Sequence, residues 1–213
     1  MPHDDDVTVE PVMGLPEALP SGEYILWQGR PAVMPLARKA LSLNWVIGYF
    51  ALLVVWRIGV STTAMPLGPA ILTGLPFVVL GVLAALILIG IAWIQSRATV
   101  YTITTERVAM RVGAALTLTL NLPFPKIAAA DLDLHKDGHG TIALRTLGTA
   151  RLSYMILWPH VRPWHMKHTR PALRCIPDAA KVAAILAEAA ETRVSQPVIA
   201  PRPSVADAAV AAE

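Results

Sequence analysis

Between Leu157 and Arg174 the chain reads LWPHVRPWHMKHTRPALR, which concentrates imidazole, indole and basic groups in one Pro-interrupted stretch. Three imidazoles, His160, His165 and His168, raise the question of a metal site. They are spaced by five and three residues with no carboxylate or thiolate close by, so the donor set for a closed zinc site is missing and the histidines read as interfacial or partner-facing. Trp158 and Trp164 suit a membrane interface, where an indole is half apolar and can still donate a hydrogen bond. Arg162, Lys167, Arg170 and Arg174 suit anionic headgroups or an acidic protein surface. Trp158, Arg162, Trp164, Lys167 and Arg170 are therefore the candidate partner or membrane contacts, with the alternative that both indoles cover the bottom of a β-core.

Catalysis finds no comparable cluster. Gly138 and Gly140 make a G-x-G turn without a helix start or partner acid, and Cys175, the single cysteine, has no local activating group. The sequence thus predicts no enzyme, no cofactor and no metal. One cysteine also excludes an internal disulfide.

The elements that must carry this stretch are set by composition. Of 213 residues, 54% are hydrophobic and mean hydropathy is +0.52, which puts a membrane protein first among the classes. Charge is segregated: residues 1–29 hold six acidic side chains and no Lys or Arg, whereas 101–193 hold twelve Lys/Arg against seven Asp/Glu. The basic part is expected to face something anionic, and a lipid surface is the simplest choice; nucleic acid is not expected.

Residues 41–60 and 71–94 are long and apolar enough to cross a hydrocarbon layer of roughly 30 Å as helices. Arg57 lies in the last turn of the first, where its stem can snorkel. The loop between the spans lacks Lys and Arg, while Arg30, Arg38, Lys39 and Arg97 flank the pair, so the positive-inside rule places both termini in the cytoplasm. Neither span contains His, which leaves no embedded imidazole to ligate a pigment. Gly48, Gly81 and Gly90 would allow close helix contact or simply tolerate lipid, and with open sheet edges they make a homodimer an expectation.

Beyond Arg97 the apolar period changes to two. Tyr101 and Ile103, then Val108, Met110 and Val112, then Leu116 to Leu122 alternate with polar residues, predicting strands over 100–105, 107–113 and 115–122. Further strands are expected at 127–134, 141–145, ARLSYMILW (150–158) and ALRCI (172–176). A helix with Asp178 as N-cap and Val182, Ile185, Leu186 and Ala189 on one face closes the sheet. Residues 1–20 and 193–213 read as disordered, and 21–40 as a short strand or interfacial segment.

Consecutive antiparallel strands followed by one amphipathic helix, with VYTITTERV opening the pair and GEYILWQGRP preceding the hairpin, resemble the bacterial PH-like domain family. The resemblance implies a membrane-anchored α+β chain: a two-helix transmembrane hairpin plus a PH-like antiparallel β-barrel or sandwich at 98–192, closed by a C-terminal helix. The tight TTER connection leaves no roomy basic loop for a phosphoinositide headgroup. Read in one order with LPFPKIAAADL, SYMILWPHVRPW and IPDAAKVAAIL, these segments are similar to the PuhB family of photosynthetic complex assembly proteins from purple phototrophic bacteria. That likeness implies a non-enzymatic factor in the inner, intracytoplasmic membrane whose partners are reaction-centre and core light-harvesting antenna subunits. A lipid-sensing or membrane-organising PH-like protein without a photosynthetic role is the alternative.

Overall fold

The computed structural model describes residues 14, 15, 17–113, 117–147, 153–166 and 168–195. Lys167, one of the expected contacts, lies outside the described residues, as do 1–13, 150–152 and 196–213. Leu15 is buried, and Gly14 at φ +85° fits so tightly against Val100 that a Cβ there would come within 2.6 Å of it.

Strand β1 (Ile25–Gly29) pairs antiparallel with β2 (Val100–Thr104), placing Trp27 opposite Ile103 and Gly29 opposite Tyr101. Everything between these two strands is therefore an excursion that leaves one sheet and returns to it. It contains α1 (Val33–Lys39), α2 (Leu43–Ser61), α3 (Leu67–Leu72) and α4 (Leu75–Ala98). The stretches Leu43–Ser61 and Leu67–Ala98 are long and apolar enough to cross a membrane, with hydropathies of 1.7 and 2.9. Because β1 and β2 pair, both ends of this hairpin lie on the same side. The helices meet closely at Gly81, where a Cβ would stand 2.8 Å from Cβ of Phe50, whereas Gly48 and Gly90 face open space. The second helical stretch starts earlier than the expected residue 71, as α3, and breaks before α4. Pro76, which lacks an N–H to donate, sits in the first turn of α4, where no intrahelical donor is needed.

After α4 come β3 (Arg107–Val112), β4 (Leu118–Pro123), β5 (Ile127–Leu134), β6 (Gly140–Thr146), β7 (Ala172–Ile176) and α6 (Ala179–Ser195). They form a four-stranded sheet, β1-β2-β3-β4, and a three-stranded sheet, β5-β6-β7, rather than one closed barrel. Pro123 and Pro125 cannot donate to a ladder, and a 3-10 turn over Phe124–Lys126 redirects the chain there, which divides the strands between sheets. Tyr101, Ile103, Val108 and Met110 from the first sheet share a core with Ile142, Leu144 and Leu173 from the second; α6 adds Val182, Leu186 and Ala189.

The strand expected over 150–158 is not formed in its described part. Tyr154–Leu157 make a single helical turn, α5, that buries Leu157 and leaves Met155 and Ile156 exposed. Two reasons are visible. Every position from Tyr154 to Trp158 is apolar, so the period-two pattern selects no face, and β6 is already paired with β5 on one edge and β7 on the other.

Candidate contact surface

The stretch following α5 is tied at its root to both ends of the apolar hairpin. His160, expected to face a partner, is instead buried: its Nδ1 lies 2.6 Å from the Tyr101 hydroxyl and its Nε2 3.1 Å from Thr99 Oγ1, the residue that ends α4. The Tyr101 oxygen also accepts the Arg174 backbone N–H at 3.3 Å, and the neutral His160 ring bridges the Tyr101 and Thr99 hydroxyls, donating from one nitrogen and accepting at the other. Burial, with the neighbouring Arg174 charge acting the same way, pushes the His160 pKa down to about 4. Burial likewise raises the Tyr101 phenol and the Cys175 thiol, so all three groups are neutral near pH 7.

Arg174 completes the root. It is only 7% exposed, in the middle of β7, and has no carboxylate partner among the described residues. Nη1 donates to the carbonyls of Pro159 (3.5 Å) and Val161 (3.4 Å), and Nη2 to that of Lys39 (3.4 Å) at the end of α1. Next to it, Cys175 joins Leu36, Ala37, Leu41, Leu43 and Ala92 in a second small core, and the Ala32 N–H donates to Cys175 O at 2.8 Å. One strand, β7, thus holds the loop root, the start of α2 and the base of α4 together.

From this root the loop projects outward. Arg162 N–H donates to Arg170 O at 2.9 Å, and Val161 bridges Pro171, making a short antiparallel stem. At its tip Trp164 is 88% exposed, and Trp158 at the root is 44% exposed, so neither indole belongs to the β-core. Met155, Ile156 and Met166 add exposed apolar surface. Arg162 and Arg170 turn back to Asp131 on β5, at 2.7 and 3.2 Å. The structure therefore brings Trp158, Arg162, Trp164 and Arg170 into one stem-loop. His165 bonds the Pro163 carbonyl at 2.8 Å and His168 is exposed. Among the described residues no three His, Cys, Asp or Glu side chains gather as a metal site.

Two further surfaces bear on function. The β2–β3 connection is only Thr105–Glu106, and Arg107 beside it is engaged by Glu23 in a two-pronged pair at 2.9 and 3.0 Å. Within the hairpin, an entirely apolar groove of about 570 Å³ runs between α2 and α4, lined by Phe50, Val54, Phe77 and Gly81 among others.

His160 and Arg174 were not separable from surface residues by local pattern. The one available signal is a charged side chain in ALRCI, a run whose other members are all apolar.

No solved structure matches the chain significantly. A protein from Rhodobacter capsulatus, described as "Uncharacterized 23.7 kDa protein in puhA 5'region", is 41% identical over 217 aligned positions, covering 99% of each chain. The family described as bacterial PH domain matches residues 42–190, which take in the apolar hairpin, strands β2 to β7 and most of α6. By that match and by the two-sheet, one-helix architecture it spans, the chain belongs to the bacterial PH domain family.

Proposed function

We propose that this protein is a non-enzymatic assembly factor for the photosynthetic reaction centre and its core light-harvesting antenna, anchored in the inner membrane by the α2–α4 hairpin. The observation that carries this reading is the full-length likeness to a protein encoded in the 5' region of puhA in a photosynthetic bacterium. The architecture supports it. A domain clamped to its hairpin through β7 holds two kinds of surface in fixed relation: an apolar groove at membrane depth and edge strands β4 and β5 outside it. Subunits held on both would meet at high effective concentration and be released as native contacts replace the factor. The basic flanks at Arg38, Lys39 and Arg97 orient the domain and both termini toward the cytoplasm.

Deletion of the gene in a phototrophically grown strain tests the role. Assembled core complex, measured by membrane absorbance and native gels, is expected to fall while bacteriochlorophyll synthesis continues. Unchanged core-complex levels would remove the assembly role.

A further inference from the structure

Asp131 stands on the edge strand β5 and is approached by three guanidinium groups. Arg162 Nη1 lies 2.7 Å and Arg170 Nη1 3.2 Å from its Oδ2, and Arg145 Nη2, from β6, lies 3.8 Å from the same oxygen. Three cations against one carboxylate leave a formal +2 at one place. The side chains are partly open, from 23% for Arg170 to 51% for Arg145, so the excess charge is presented rather than sealed. A guanidinium has five N–H donors. Arg162 and Arg170 each give one of theirs to Asp131, and the Arg145 guanidinium makes no hydrogen bond among the described residues.

What kind of anion suits this cluster follows from its neighbours. The stem that supplies Arg162 and Arg170 also carries Trp164 and Met166 at its tip, both well exposed, with Trp158, Met155 and Ile156 exposed before its root. The root is bonded to Thr99 at the end of α4 and, through Arg174, to Lys39 just before α2. Cations interleaved with exposed indole, thioether and aliphatic groups, hung from both ends of a membrane hairpin, match the boundary between headgroups and acyl chains. A purely acidic protein surface, without an apolar patch of its own, would satisfy the arginines but not this apolar fringe.

We infer that Arg145, Arg162 and Arg170 bind the phosphate of anionic phospholipid headgroups, with Trp158 and Trp164 seated in the interface, giving the domain a second hold on the bilayer beside its hairpin. The inference rests on the hairpin being membrane-embedded but not on the assembly role. It also assigns a purpose to Asp131: the carboxylate gathers the arginines and limits their pull on the membrane.

The test uses the full chain in nanodiscs of phosphatidylcholine with increasing phosphatidylglycerol. A nitroxide on Met166→Cys, with buried Cys175 inaccessible to the label, reports immersion by oxygen and nickel-chelate accessibility. Immersion is expected to rise with phosphatidylglycerol, to reverse in high salt, and to resist competition by inorganic phosphate, which lacks the apolar half of the site. Replacing Arg145, Arg162 and Arg170 by Gln should move the midpoint at least about threefold toward higher phosphatidylglycerol, and Asp131→Asn should move it in the opposite direction. A purely structural ion-pair cluster would give no such opposed shift. Immersion insensitive to phosphatidylglycerol, or both variants shifting the same way, overturns the inference, as does immobilisation of the label by an acidic protein alone. Displacement by inorganic phosphate would reassign the cluster to the free ion. If the triple variant does not fold, the direction of the Asp131→Asn shift still decides. Failure of the chain to enter nanodiscs at all would instead count against the membrane reading of the hairpin.

Discussion

The Tyr101 hydroxyl lies 2.6 Å from Nδ1 of His160, joining the first strand after α4 to the root of the exposed stem-loop. Both rings are buried, and both are held by Arg174, through its backbone N–H to the phenol and through its guanidinium to the carbonyls on either side of His160. The relationship makes the stem-loop, β2 and β7 one mechanical unit.

A neutral buried imidazole has a pH signature. The His160 pKa falls from an unfolded value of about 6.5 to about 4 in the fold, so between those values the unfolded chain binds the proton that the folded chain refuses. Stability contributed by this group is complete above pH 6.5 and declines as pH drops toward 4, by about 3 kcal/mol in all and about 2 kcal/mol at pH 5. Arg174 opposes protonation, while the Thr99 and Tyr101 hydroxyls facing the ring stay uncharged throughout. Denaturant titrations of the detergent-solubilised chain at pH 7 and 5 should show a steeper loss for the wild type than for His160→Gln. Equal slopes would mean that the imidazole is not buried neutral.

Arg174 and Arg162 should differ sharply on substitution. Arg174→Met strands the buried carbonyls of Pro159 and Val161 and the part-buried one of Lys39, and should destabilise by about 3 kcal/mol. Arg162→Ala removes a partly exposed pair with Asp131 and should change stability by less than about 1 kcal/mol. The same denaturant titration compares them, and equal losses would deny Arg174 its role as the staple.

Trp158 and Trp164 offer a contrast between stability and contact. Since neither indole is buried, changing both to Ala should leave the thermal melt of the full chain within about 0.5 kcal/mol of wild type, whereas loss of a core Trp costs about 3–5 kcal/mol. Adding Arg162→Glu should weaken contact by roughly 1–3 kcal/mol per anchor, read as lost co-purification or lost nanodisc immersion. An unchanged melt with unchanged contact would remove the stem-loop from the functional surfaces.

Glycine substitutions in the hairpin are predicted to be unequal. Gly81→Leu forces side-chain atoms into Phe50 and should cost about 1–3 kcal/mol through overpacking, while Gly48→Ala and Gly90→Ala meet nothing. Thermal aggregation in detergent ranks the three, and a tolerant Gly81 would indicate that α2 and α4 are not packed as described.

Much of the framework is legible in the residues because burial imposes a period. Tyr101, Ile103, Val108, Met110 and Val112 alternate and are buried together; Val182, Leu186 and Ala189 recur at helical spacing and close the core. Helix α1 is harder to see, since it is one short element containing Pro35, although Leu36 and Ala37 within it and Leu41 just beyond it pack with Cys175. The stretch after Ser153 misleads because uniform apolarity carries no period. His160 and Arg174 look like surface residues because what buries them comes from residues 39, 99 and 101, and no local pattern encodes that encounter.

The pairing of β1 with β2 has a consequence for biosynthesis. The ribosome delivers Trp27 long before Ile103, and the partner strand arrives only after both hairpin helices have been made. The four-stranded sheet therefore cannot close until the second helix has brought the chain back to the side from which it left. A chain whose two hairpin ends do not meet has no β1–β2 ladder and leaves one edge of β2 open. Completion of the sheet thus depends on the hairpin: the β1–β2 ladder forms only where the outer ends of α2 and α4 come back together.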